Sequence, residues 1–276
     1  MNKKLAVKAF RYASVLLLAV IWAVPLYITL ITPFKSTREL FTQALALPTS
    51  YSIQNYVRVF QEVNFFRYLK NSLIVTAGAL AVLSMLASLA AYALFRTRSR
   101  LTSKVYFLFS MGMMIPTQAA MIALFNVIKG LGLYNTYIGL MLAYGGCYMP
   151  VSVFLFTGFF KSGIPHEIIE SAYIDCGNEF VIYSRIVLPL SASAFGTVLI
   201  YNSIQVWKDF TYPLIFTQGE SVTTLPMAIY SLKGEYMSDY PMIFAGVIAS
   251  SIPLLVVYLL LQKQFVAGIT AGAVKG

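Results

Sequence analysis

The 276-residue chain is expected to be an all-α integral membrane protein with six transmembrane helices and both termini in the cytoplasm. Three observations lead there. Hydrophobic residues make up 59% of the sequence and charged ones only 11%, against about 25% charged in an ordinary soluble chain. Six apolar stretches reach the ~20 residues that cross a ~30 Å hydrocarbon core at helical rise. The basic residues gather at the ends of those stretches, as topology signals do.

The first stretch, about residues 12–32, follows Lys3, Lys4, Lys8 and Arg11. A basic start ahead of an apolar run imitates a secretory signal. This run, however, exceeds the ~7–15 residues of a signal's apolar core, and no small-x-small cleavage site follows. It reads as a retained membrane anchor. Residues 33–71, with Pro48, aromatic residues and mixed charge, have the composition of an ordered cap. The remaining stretches cover about 72–95, 105–127, 135–160, 190–216 and 241–261. Gly145-Gly146 and Pro150 interrupt the fourth, while Pro25, Pro116 and Pro253 mark the first, third and sixth. Each proline either kinks its helix or sits there as an ordinary membrane-helix proline. No internal repeat or linker divides the sequence, so a single domain over 1–276 is expected.

Orientation follows from the basic residues. Four precede the first stretch, and four (Arg96, Arg98, Arg100, Lys104) occupy the loop after the second. The short loops on the other side hold one each, Lys129 and Lys233. The loop 33–71 holds five, but long loops count for less. The N-terminus, the C-terminus and the loop 161–189 therefore fall in the cytoplasm.

Several function classes are disfavoured. The net charge of +10 is spread along helix ends rather than over one face, so no nucleic-acid partner is expected. Cys147 and Cys176 lie in or beside apolar segments and read as small packing residues. His166 is the only histidine, which excludes a multi-histidine metal site and suits a surface residue of its loop. There is no G-x-x-x-x-G-K-[ST] phosphate loop. Neither an intramembrane acidic relay nor a nucleophile–base pair is evident, so catalysis is not expected.

The polar island between the fourth and fifth stretches carries the most information. Pro165 suits the first turn of a helix, and Glu167 and Glu170 suit the positive end of its dipole. Ile168, Ala172 and Cys176 recur every four residues as a narrow apolar stripe. Gly177-Asn178 is a stop signal, after which a helix can start at Glu179 and run on into the fifth stretch. The pattern predicts a short helix over 165–178, a sharp corner, and a membrane helix rigidly attached to it. Such a part is suited to receiving a push.

The run Glu170-Ser171-Ala172-Tyr173-Ile174-Asp175-Cys176-Gly177, followed by Ile186-Val187-Leu188-Pro189, resembles the cytoplasmic EAA loop of bacterial ABC-importer permeases. That loop reads E-A-A-x-x-D-G-A, a variable spacer, then I-x-L-P. The departure is at Cys176-Gly177, where the family has Gly then Ala. Either the corner lies one residue later here, or Cys176 fills a close-packed small position. Other stretches are similar to the MalG-type sugar permeases: Thr32-Pro33-Phe34-Lys35, Asn55-Tyr56 and Asn71-Ser72. Trp207-Lys208-Asp209-Phe210 with Pro213-Leu214 resembles W-N-[DE]-F-x-x-P-L, with Lys208 in place of Asn. The ending from Phe265 to Gly276 resembles the F-V-x-G-[LI]-T-x-G-A-V-K-G close of multiple-sugar permeases.

The resemblance implies a type I ABC-importer permease fold in the bacterial cell membrane, carrying a mono- or oligosaccharide. It implies a MalF-like second permease, an ATPase subunit dimer and an extracytoplasmic solute-binding protein. ATP and Mg would be bound by the ATPase, with no cofactor in this chain. Glu167, Ile168, Glu170, Ala172, Asp175, Cys176, Gly177 and Phe180 would dock the ATPase. Thr270, Gly272 and Lys275 would lie in a cytoplasmic tail near the ATPase dimer interface. Trp207, Lys208, Asp209 and Phe210 either line the outer mouth of the pathway or anchor their helix; Lys208 would lie about 27 Å beyond Leu190 at helical rise. Competing readings are a permease for glycerol-phosphate, for which Lys208 alone does not make a cationic site, and a secondary transporter or channel. A membrane-bound enzyme is a third, opposed by the missing catalytic cluster.

Overall fold

The computed structural model describes residues 3–97, 99–234 and 238–273, and side chains for all of these except 3–6, 9, 176, 261 and 263–273. Among the described residues the regular structure is entirely helical. The chain divides into two compact units, Met1–Arg67 with Ala228–Ile252, and Tyr68–Met227 with Pro253–Gly276.

In the first unit, α1 (Lys3–Ile31) continues through Pro25 and ends in a 3-10 turn, Thr32–Phe34. Its apolar side chains, among them Leu16, Trp22 and Leu26, are exposed, as suits a helix facing lipid. The following loop is ordered by local bonds. Ser36 and Glu39 form a reciprocal capping box at the start of α2 (Thr37–Thr42). Lys35, only 2% exposed, donates through Nζ to the carbonyls of Gln43 and Ala44 at 2.9 and 2.8 Å. Helix α3 (Gln54–Glu62) returns over the turn, where Asn55 Nδ2 donates to the carbonyls of Pro33 and Lys35. Phe34 packs against the rings of Tyr51 and Tyr56. The expected cap is therefore a set of named contacts.

Helix α4 (Phe65–Arg96) leads into the second unit. Ala79, Leu83, Ala87 and Ala91 recur every four residues along it and are all fully buried. Small side chains there let neighbouring helices approach closely. The third apolar stretch is not a straight span. It forms α5 (Arg100–Gly112) and α6 (Thr117–Gly130), bent by 107° at a break closed by Pro116. Proline has no N–H for the helix ladder and disfavours helical angles in the residue before it. The fourth stretch, α7 (Tyr137–Gly163), runs uninterrupted through Gly145-Gly146 and Pro150, contrary to the sequence reading.

The fifth stretch also departs from expectation. After α8 (His166–Cys176) and α9 (Glu179–Ile182) the chain widens into a π-turn, Tyr183–Val187, and then α10 (Leu188–Leu190). It turns by 75° into α11 (Ala192–Lys208). The membrane helix is therefore not a collinear extension of the helix from Glu179. Residues beyond Lys208 form a separate α12 (Thr211–Phe216), because Asp209 accepts from the N–H groups of Thr211 and Tyr212 and starts a new helix. Helix α13 (Leu225–Tyr230) precedes α14 (Tyr240–Ala273), which passes through Pro253 and outruns the predicted 241–261. Among the described residues four helices are long and apolar enough to cross a membrane, or six if each bent pair is one span.

Candidate coupling surface and translocation cavity

Pro165 stands at the cap of α8 with ψ 135°, one place before the predicted first turn. Ile169 and Ala172, 1% and 7% exposed, turn into the buried core with Phe95, Phe160 and Ile182. The buried face thus follows the 3.6-residue period through 169 and 172. The stripe read at 168, 172 and 176 holds only at Ala172: Ile168 is exposed, and the Cys176 side chain lies outside the described residues. Glu167, Glu170, Asp175 and Gly177 are exposed. The corner is at Gly177, with φ +62° and its N–H donating to Tyr173 O at 2.9 Å. Asn178 caps α9, its Oδ1 accepting from the N–H groups of Phe180 and Val181.

The corner is fastened to α4 by contacts that sequence reasoning missed. Glu179 accepts from Tyr92 Oη at 2.5 Å and from Arg96 Nε at 3.0 Å. The Arg96 guanidinium lies 5.1 Å from the Tyr173 ring centre. Below it, Tyr183 and Ser88 share a hydrogen bond of 2.6 Å. No local pattern announces pairs so distant in sequence. What remains outward is an apolar set on a polar connection: Ile174 is 84% exposed, Phe180 66% and Ile168 41%.

A second constellation surrounds the α5–α6 bend. Two adjoining cavities of about 460 and 440 Å³ share Thr117, Tyr148, Tyr201 and Tyr212 in their walls. The second also takes in Gln118, Gln205, Lys208, Asp209 and Phe210. Three of the four predicted pathway residues are therefore together, but Trp207 is buried and does not line either cavity. Asp209 is held in place: it accepts from Tyr144 Oη at 2.9 Å as well as from two backbone N–H groups. Cys147 is a free, half-buried thiol on the first cavity wall. In the tail, α14 carries the backbone of Thr270 and Gly272, whose side chains lie outside the described residues, as does all of Lys275. No cluster able to hold a metal ion occurs among the described residues.

The family model described as "binding-protein-dependent transport system inner membrane component" matches residues 83–270. The chain belongs to that family. This permease is 37% identical over 254 residues to the putative ABC transporter permease protein ORF2 of a Caldicellulosiruptor species, covering 92% of each chain. It is 31% identical over 253 residues to the melibiose/raffinose/stachyose import permease protein MelC of Bacillus subtilis, covering 92% of this chain and 91% of MelC. Its fold is shared, at TM-score 0.80 and 21% identity, with a chain of a bacterial ABC transporter involved in the import of the acidic polysaccharide alginate. That match covers 96% of this permease and 99% of that chain. The permease is thus an ABC-importer subunit and a multi-pass protein of the bacterial cell membrane, in a family of transport components rather than enzymes.

Proposed function

We propose that this permease, as one domain, pairs with a second permease of similar fold to form the path of a mono- or oligosaccharide into the cell. An extracytoplasmic solute-binding protein delivers the sugar, and an ATPase dimer, binding ATP and magnesium in its own subunits, drives the cycle. The family description and the likeness to a melibiose/raffinose/stachyose permease support this. The tyrosine faces and glutamine amides around the α5–α6 bend have the mix of apolar walls and few polar groups that small-ligand sites use. The distribution of basic residues supports cytoplasmic termini and a cytoplasmic α8.

Helix α8 docks in a groove of one ATPase subunit. The observation that carries this is the exposed apolar set Ile168, Ile174 and Phe180, flanked by Glu167, Glu170 and Asp175. Buried apolar anchors ringed by polar groups are how interfaces concentrate their energy. Ile169 and Ala172 meanwhile hold α8 to the permease itself. ATPase closure drags α8, and the motion passes through the corner at Gly177 to α4 and, past the bend at Ser191, to α11. A tilt between two arrangements gives alternating access. The tail with Thr270, Gly272 and Lys275 approaches the ATPase dimer interface.

Ile174→Asp tests the docking. The variant should insert normally, yet lower radiolabelled-sugar uptake in a strain dependent on this chain by roughly tenfold or more, the effect of about 1.4 kcal/mol. Full-rate uptake would sink the docking reading.

A further inference from the structure

A cavity of about 700 Å³ opens beside the start of α8, walled by the ends of α4 and α7 and the first turns of α5. Its chemistry is one-sided. Arg100, Lys161 and His166 line it, with hydroxyls such as that of Ser103, and no carboxylate does so among the described residues. Aromatic rings position two of these groups: Lys161 Nζ lies 4.8 Å from the Tyr106 ring centre, and His166 stacks on Phe95 at 4.6 Å. Thr157, also in the wall, is 1% exposed, and its hydroxyl has no hydrogen-bond partner among the described residues. Such a buried group is costly unless something arrives to bond it. The positive end of α8 meets the same space through His166, its first residue, and Pro165 supplies no side-chain acceptor at the cap.

The geometry points to a binding site for a phosphate group carried on a small organic body. A guanidinium, an ammonium, an imidazole and hydroxyls together suit an anion with several oxygens. The volume exceeds a bare ion and falls within the ~300–1,000 Å³ of small-molecule pockets. The body is that of a soluble phosphorylated metabolite or of a phospholipid headgroup. An occupant would touch α5, α7 and the first turn of α8 together, restraining the coupling helix. That consequence for transport rests on the docking reading above; binding itself does not.

The test is thermal unfolding of the purified full-length permease with its co-purifying subunits. The soluble probes are inorganic phosphate and glucose 6-phosphate, with glucose and equal-strength chloride as controls. The lipid arm compares zwitterionic vesicles with and without phosphatidylglycerol. A phosphate-bearing probe should raise Tm while glucose and chloride leave it unchanged. Arg100→Gln with Lys161→Gln should weaken apparent affinity by about tenfold or more, and Thr157→Val should weaken it severalfold. Lys104→Gln, in the same helix but outside the cavity wall, should respond like the wild type. A response to glucose 6-phosphate assigns a soluble ligand, and one confined to phosphatidylglycerol assigns the headgroup. No shift with either, or a wild-type response from the double variant or from Thr157→Val, would overturn the site. Because no arm reads transport, failure of the docking reading would leave these outcomes untouched.

Discussion

Glu179 and Arg96 stand 83 positions apart and meet at 3.0 Å, with the Tyr92 hydroxyl on the same carboxylate. The contact joins the corner after α8 to the end of α4. The Arg96 and Glu179 side chains are 29% and 46% exposed, so as an ion pair they contribute only about 1 kcal/mol or less after screening. The pair's weight lies in position: it ties the start of α9, next to the corner at Gly177, to the end of α4.

Arg96→Glu, which brings two carboxylates together, should therefore lower sugar uptake severalfold while the chain still reaches the membrane. Adding Glu179→Arg should restore part of the loss. Uptake assays with immunoblots of the membrane fraction check both, and unchanged uptake in Arg96→Glu would show that the fastening is not used.

Gly139 and Gly146 lie in one helix and should behave oppositely. A Cβ on Gly139 would stand 2.0 Å from the carbonyl oxygen of Leu133, a backbone atom that cannot swing aside, whereas one on Gly146 meets nothing within 4 Å. Gly139→Ala should cost about 1–3 kcal/mol, whereas Gly146→Ala, in an open helix interior, should stabilise by about 0.5–1 kcal/mol. Denaturation in detergent would compare them.

Asn71 is 2% exposed and bonds three ways: its Nδ2 donates to the carbonyls of Ser221 and Thr223, and its Oδ1 accepts from Tyr137 Oη at 2.6 Å. Asn71→Leu strands those partners and should cost about 1–3 kcal/mol. Faster amide exchange around Ser221 and Thr223 would register it first.

Glu39 supplies a pH dependence. The Thr49 hydroxyl, then the N–H groups of Ser36 and Thr49, hold its carboxyl at about 2 against an ordinary 4.5. The folded value is the lower one, so these bonds favour the ordered loop fully above 4.5 and are lost as pH falls from there towards 2. Amide protection over residues 36–49, taken relative to the intrinsic exchange rate at each pH, should fall in that window, and Glu39→Gln should flatten the change.

The apolar lengths made the number of stretches legible, since a membrane demands about 20 residues whatever follows. They could not reveal a bend. Pro116 was visible as a mark, but that it closes a 107° break depends on the path the neighbouring helices leave open. The short helix, its stop at Gly177 and a new start at Glu179 were readable because caps and glycine corners are local chemistry. Its buried face was misread by one position, for a four-residue step imitates the true period over so short a helix. Glu39 could have been found from Ser36-x-x-Glu39 alone. Arg96 with Glu179, and Tyr144 with Asp209, could not, because nothing in either stretch names its distant partner.

The π-turn at Tyr183–Val187 has a consequence for anyone shortening or transplanting this loop. It holds a surplus residue relative to an ordinary helical turn, and each residue rotates a helix by about 100°. Deleting one would swing Glu179 and the ring of Tyr183 round by that angle relative to Pro189, away from the hydroxyl and guanidinium that receive them. The segment works as a phasing shim, in which the count of residues, more than their identity, sets the compass bearing of everything upstream.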